Sequence, residues 1–207
     1  MASTIPTLSE GHTTIRPIRL RDARTLEREL AENRGWLRKW EATNPPGPMS
    51  FDVRASIRSL QQNARAGLGL PFVIEYDGQI AGQLNVSSIA YGSLSSATIG
   101  YWVSERFAGR GATPTAVALA TDHCFFGIGL HRMEICIRPE NEPSLRVVEK
   151  LGFRYEGLRR RYIHINGDWR DHFCFALTVD ELPTGVLRRW RDGKAPSKDA
   201  AIPAADR

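Results

Sequence analysis

Two dipeptides, Asp77-Gly78 and Asn166-Gly167, constrain this 207-residue chain most strongly. A two-residue β-hairpin turn needs positive φ at its central positions, and Asn, Asp and Gly adopt it at least steric cost. The runs Pro71 to Tyr76 and Gln79 to Val86 flank the first dipeptide, and Tyr155 to Ile165 and Asp168 to Thr178 flank the second. Two antiparallel hairpins, far apart in the chain, are therefore predicted. Thr13 to Pro17, Ala97 to Val103 and Arg132 to Ile137 read as further strands.

Helical signals fill the intervals. Asp22 caps a predicted helix reaching about Asn33, and a short helix carries Trp36, Leu37 and Trp40. The breaker Asn44-Pro45-Pro46-Gly47-Pro48 follows. With Ser50 as cap, Val53, Ile57, Leu60 and Ala64 then recur at spacings of four, three and four. Thr113 as cap and Pro114 as first residue start a helix through Val117, Ala120 and Cys124. A last compact helix runs from about Pro143 to Leu151 and ends at Gly152. The expected class is α/β (α+β), with one central, mixed but mostly antiparallel sheet of about seven strands and helices on its faces.

Hydrophobic residues at 42% and charged ones at 25% suit one globular domain, expected over 13–182. The basic segment 183–207 is expected to hold a short frayed helix and then disorder. Cys124, Cys136 and Cys174 are odd in number and lack ligand spacing, so they read as reduced thiols with no metal. A net charge of +5 is explained by a solvated basic surface as well as by an anionic partner, and no direct nucleic-acid binding is expected. The first residues lack a basic-then-apolar leader, and no apolar run nears the roughly 20 residues that span a bilayer. A cytoplasmic protein without membrane contact is expected.

Chemistry first surfaces between Val103 and Thr113, in Glu105-Arg106-Phe107-Ala108-Gly109-Arg110-Gly111-Ala112. Two glycines let backbone approach a ligand, the next helix aims unpaired N–H groups at the same place, and Arg110 adds a cation. Alone, the segment reads equally as an anion site and as an ordinary Gly-containing loop. It lacks the Gly-Lys-Ser/Thr of a P-loop, and Pro114 stands where a dinucleotide fingerprint needs a third glycine.

The segment resembles the acetyl-CoA pyrophosphate loop of the GNAT superfamily, Q/R-x-x-G-x-G/A. In register it covers Ala108, Gly109, Arg110, Gly111, Ala112 and Thr113, with Ala108 replacing the usual Gln or Arg and Thr113 the final small residue. Pro139-Glu140-Asn141-Glu142-Pro143-Ser144 and Lys150-Leu151-Gly152-Phe153 are similar to the superfamily's N-x-x-S/A and K-L-G-F patterns. Glu156-Gly157, Tyr162, Asn166-Gly167 and Trp169-Arg170-Asp171-His172 resemble the RimJ/RimL branch, which acetylates N-terminal residues of ribosomal proteins. The likeness runs from about Thr13 to Leu182 and is most specific in the second half.

The resemblance implies a GNAT fold splayed at an acetyl-CoA site. It also implies direct attack on the thioester by a protein N-terminal α-amine, on an Ala or Ser start such as that of a ribosomal protein. Trp102, Val103 and Ser104 would hold the pantetheine arm. Ser144 would donate to the departing thiolate and Asn141 would orient the cofactor, while Val148 stands where many members have a tyrosine. Plain helix capping is the alternative for both.

The base is open. The glutamate of RimL-type relatives falls on Ile163. A two-residue turn would set Tyr162 opposite Asp171, as a buried structural pair or as a proton relay, and would make His164 and Trp169 cross-strand neighbours. His164 and Glu105 are further candidates for the base. Trp36 and Trp40, with His164 and Trp169, are candidate acceptor contacts, and core packing is the alternative for Trp36 and Trp40. A small-amine acetyltransferase and a non-catalytic acyl-CoA-binding or ribosome-assembly module remain as other readings, in a monomer or homodimer.

Overall fold

In a computed structural model, the structure describes residues 5–45, 52–193 and 198–206. Strand β1 (Leu8–Glu10) leads into β2 (Thr13–Pro17), and helices α1 (Ala23–Glu32), α2 (Arg34–Leu37) and α3 (Val53–Arg65) follow. Then come β3 (Leu70–Tyr76), β4 (Gln79–Ala90), β5 (Ser96–Val103) and α4 (Ala112–Asp122). The second half is β6 (Arg132–Ile137), α5 (Glu142–Leu151), β7 (Arg154–Ile165), β8 (Asp168–Thr178) and α6 (Val186–Arg191).

The strands form one sheet in the order β1-β2-β3-β4-β5-β6-β8-β7. Among the described residues, only the β5–β6 pair is parallel. The sheet has eight strands rather than about seven, because β1 adds an edge hairpin to β2. Three residues, Leu-Ser-Glu, are too few to show an alternation in sequence. Both turn dipeptides behave as their chemistry requires: Asp77 and Gly78 have φ of 48° and 74°, and Asn166 and Gly167 have 49° and 91°.

The main core lies under α4. Ala116, Val117, Ala118 and Ala120 are all fully buried there. A helix this apolar around its circumference must be covered on several sides, and α4 rests against β2, β3 and β5 with α5 and α6 over it. On the other face α1 and α3 bury Leu26, Val53 and Ile57 against Val73. Val53 and Ile57 thus point inward as predicted, while Leu60 and Ala64 are half-buried. The cap is Asp52, whose Oδ1 accepts from the N–H of Ala55 at 3.0 Å. Ser50 and the breaker residues Pro46 to Pro48 lie outside the described residues.

Two expectations are corrected here. The β7–β8 register shifts between Arg159 and Ile163: Ile163 pairs with Arg170 but Arg159 pairs with His172. Four steps on β7 face two on β8, so a bulge of two extra residues carries Tyr162 away from Asp171. Among the described residues after Pro183, the chain also docks on the domain rather than fraying. The Asp122 carboxylate accepts from the N–H groups of Val186 and Leu187 at 2.7 and 3.0 Å, and Val186 and Ala200 are buried. Among the described residues, no helix is long and apolar enough to cross a membrane.

Candidate functional site

The site begins where β5 and β6 part. They pair only over Ser96 to Thr98 against Arg132 to Glu134, so beyond that point their facing edges diverge. The divergence opens a cleft on each side, one of about 270 Å³ and one of about 350 Å³. Leu37, Trp40, Tyr101, Trp102, Asn141 and Ser144 line both, so the two clefts meet at the splay.

The first cleft is walled by the end of β5, the loop from Phe107 to Gly111, and the first turns of α4 and α5. Gly109 and Gly111 both have left-handed φ, 76° and 83°, in a region where other residues are strained. Gly111, not Thr113, is the N-cap of α4, and its carbonyl accepts from Thr115 N–H at 3.1 Å. Ala112 and Thr113 therefore fall in the helix's first turn. First-turn N–H groups have no acceptor within the helix, and both residues line the cleft. Arg146 and Lys150 of α5 bring positive charge to the same wall, whereas Arg110, the cation expected from sequence, is exposed and does not line it. Trp190 of α6 closes the far side and donates to Thr115 Oγ1 at 2.8 Å.

Trp102 and Val103 line the cleft as drawn from the resemblance, and Val103's carbonyl accepts from Trp36 Nε1 at 3.1 Å. Ser104 does not. It is fully buried and its hydroxyl donates at 2.7 Å to Glu29, which also takes a 2.6 Å bond from Arg106. Ser104 therefore fastens the loop to α1. Glu105 is exposed, and its N–H is taken by Asn33 Oδ1 at 2.9 Å.

At the junction, Tyr101 Oη and Ser144 Oγ are 2.7 Å apart. Asn141 caps α5, its Oδ1 accepting from Ser144 N–H at 3.3 Å. Burial pushes the Tyr101 phenol up to about 12, against a smaller opposing effect of the Ser144 bond. It stays protonated at neutral pH and can donate. The sequence carried no signal for Tyr101, which sits in an ordinary apolar strand.

The second cleft is floored by β4, β6, β7 and β8. Glu41 and Ala42 border it, and the following chain is tied to β7: Ala42 bridges to Ile165, and Thr43 N–H donates to the His164 carbonyl at 2.9 Å. Its polar lining includes Glu41, Gln83, Asn85, Cys136, Arg138 and His172. Glu41 is ion-paired to Arg34. Cys136 lies 3.1 Å from Cys174, sulfur to sulfur, and that neighbour together with burial pushes its thiol up. Among the described residues there is no metal-binding cluster.

Several sequence candidates fall outside both clefts. Asp171 Oδ1 accepts from Arg161 N–H at 2.7 Å, and Tyr162, 40% exposed, accepts from Arg159 at 3.0 Å. The Tyr162–Asp171 pair is therefore not formed, because the bulge separates them. His164 and Trp169 are cross-strand neighbours with ring centroids 5.6 Å apart, but they sit at the hairpin tip, where His164 meets Thr43 Oγ1 at 2.8 Å. Trp36 and Trp40 do line the clefts, Trp40 both of them. His172, noted in sequence only as part of a motif, is buried and faces the second cleft.

The profile of the acetyltransferase (GNAT) domain matches residues 12–154. The structure of Mycobacterium smegmatis RimJ in complex with CoA-disulfide is similar with a TM-score of 0.81 and 38% identity, covering 89% of this chain and 91% of that one. The Vibrio fischeri ribosomal-protein-S5-alanine acetyltransferase gives a TM-score of 0.76 and 27% identity over 85% and 98% of the two chains. The Escherichia coli (strain K12) [ribosomal protein uS5]-alanine N-acetyltransferase is 26% identical over 181 residues, 86% of this chain and 93% of its own.

Proposed function

The chain belongs to the GNAT acetyltransferase family, and from that premise we propose that it moves the acetyl group of acetyl-CoA to the N-terminal α-amine of a protein with an alanine or serine start. A ribosomal protein is the favoured acceptor, by analogy with the uS5-alanine acetyltransferases it resembles. The observation that carries the reading is the Tyr101–Ser144 hydrogen bond at the one place where both clefts meet.

Acetyl-CoA supplies an activated acyl thioester. The first cleft fits it: the N–H groups of Ala112 and Thr113 at a helix start, the backbone of Ala108, Gly109 and Gly111, and Arg146 and Lys150 suit its phosphates. Trp102 and Val103 would offer strand edge to the pantetheine amides, and an N–H of β5 on the edge that leaves β6 would polarise the thioester carbonyl. Ser144 donates to the leaving sulfur, with Tyr101 behind it as a second donor. Asn141 holds Ser144 in place through the α5 cap.

The second cleft receives the amine. An α-amine has a reference pKa of about 8, so one weak base suffices to free it near neutrality. Glu41 is the only carboxylate among the described lining residues, and Arg34 already pairs with it. A polyamine would meet too few counter-charges there, which favours a singly charged N-terminus. The deciding experiment is thiol release from acetyl-CoA over a panel of N-terminal peptides, with spermidine as a control. Turnover of Ala- or Ser-starting peptides supports the reading. Turnover of spermidine alone, or tight acetyl-CoA binding without turnover of any amine, overturns it.

A further inference from the structure

We propose that His172 is the general base of this site, taking a proton from the acceptor amine at Nε2. The inference rests on the function argued above and names a residue for its missing step. His172 lies on β8, is 3% exposed, and lines the second cleft together with Tyr101 and Ser144. Its Nδ1 is 3.0 Å from the backbone carbonyl of Arg170. A carbonyl only accepts, so Nδ1 carries the proton and Nε2 carries a lone pair. Among the described residues this is the ring's one hydrogen bond, and Nε2 is left for a ligand.

The other titratable groups of the cleft are occupied. Glu41 is paired with Arg34, Cys136 is protonated beside Cys174, and Tyr101 is pushed up to about 12 by burial. Arg138 is a permanent cation whose Nε lies 3.2 Å from Glu140. The groups acting on His172 itself are these neighbours. Burial and the Arg138 charge disfavour its imidazolium, while the Arg170 carbonyl, Glu140 and Asp171 favour it. Tyr162 meets its ring edge-on, with centroids 5.9 Å apart. The balance holds it below its ordinary value, so it is a neutral acceptor at pH 7.

The protons balance. Of the three hydrogens on the acceptor's ammonium, which must become the amine before it attacks, one remains on the amide. His172 takes the first before the C–N bond forms and passes it to solvent. The second leaves the nitrogen as the C–S bond breaks and ends on sulfur by way of Ser144, giving a free thiol.

His172→Asn is the test, because its side-chain amide can still donate to the Arg170 carbonyl. With a peptide that the wild type turns over, we expect kcat to fall by about 10²- to 10³-fold, as loss of a general base does. KM for acetyl-CoA should stay within about twofold. The loss should shrink above about pH 8, where the amine frees itself, and imidazole should restore part of the rate to His172→Gly. Independently of turnover, ¹⁵N NMR of the free protein should show Nδ1 protonated and Nε2 bare. A kcat within threefold of wild type for His172→Asn, or an Nε2–H tautomer, overturns the proposal. A wild type active only on small amines would overturn the protein-acceptor reading while the same variants still judged His172. A wild type inactive on every amine would overturn both.

Discussion

Tyr101 Oη lies 2.7 Å from Ser144 Oγ, which ties the end of β5 to the start of α5 across the gap where β5 leaves β6. Residues 43 apart in sequence thus form one donor chain. Ser144→Ala should lower kcat by about 10- to 100-fold and leave the dissociation constant for CoA nearly unchanged. It should also cost about 0.5–1.5 kcal/mol of stability, the net worth of one hydrogen bond to a half-buried phenol. Tyr101→Phe should have a smaller kinetic effect. The double variant should be no slower than Ser144→Ala, because groups that act as a unit are not additive. Steady-state kinetics and denaturant melts measure both quantities. Full activity in Ser144→Ala would remove the serine from the mechanism.

Ser104 gives an opposite pattern. Its side chain is spent on the buried carboxylate of Glu29, away from the cleft. Ser104→Ala should therefore cost about 1.5–3 kcal/mol, the range for a lost hydrogen bond to a charged group, and change CoA affinity by less than about threefold. Calorimetric titration with CoA beside urea melts separates the two. A large loss of affinity with unchanged stability would restore Ser104 to the cofactor site.

Stability should also respond to His172. Its folded value lies below the ordinary 6.5, so the unfolded chain binds the proton more readily. Stability from this group is full above pH 6.5 and is lost as pH falls through that value toward the folded one. His172→Asn should flatten that part of the stability–pH curve. Urea midpoints between pH 5 and pH 8 show it. Unchanged curvature in the variant would mean that the folded and unfolded values coincide.

Sequence patterns were legible mostly where a local rule applied. The Asp77-Gly78 and Asn166-Gly167 turns, the inward face of Val53 and Ile57, and the Gly109/Gly111 loop each rest on backbone chemistry within a few residues. Most failures came where distant pairing decided, and one, the α4 cap, came where two local rules competed. The two extra residues before Ile163 leave no mark in an Arg-Arg-Arg-Tyr run, yet they break the inferred Tyr162–Asp171 pair. Thr113 looked like a cap because it precedes proline, but Gly111 reaches the left-handed cap conformation more cheaply. Tyr101 and His172 gain their roles only from the parting of β5 and β6, which no spacing in the chain encodes.

The docked C-terminal segment yields the remaining test. Asp122, the last residue of α4, accepts from the first N–H groups of α6 at 2.7 and 3.0 Å. That bond sets Trp190 against Thr115 and into the wall of the first cleft. Asp122→Ala leaves the N-terminus of α6 without its acceptor, which by the usual scale of a lost cap costs about 0.5–2 kcal/mol. The cost is felt locally, so α6 should open before the sheet does. Limited proteolysis should then cut the variant between Pro183 and Gly193 where the wild type resists. Because Trp190 borders the cleft, CoA affinity should fall with it, and saturating CoA should restore protection. Cleavage without any change in CoA affinity would show that α6 covers the core but takes no part in holding the ligand.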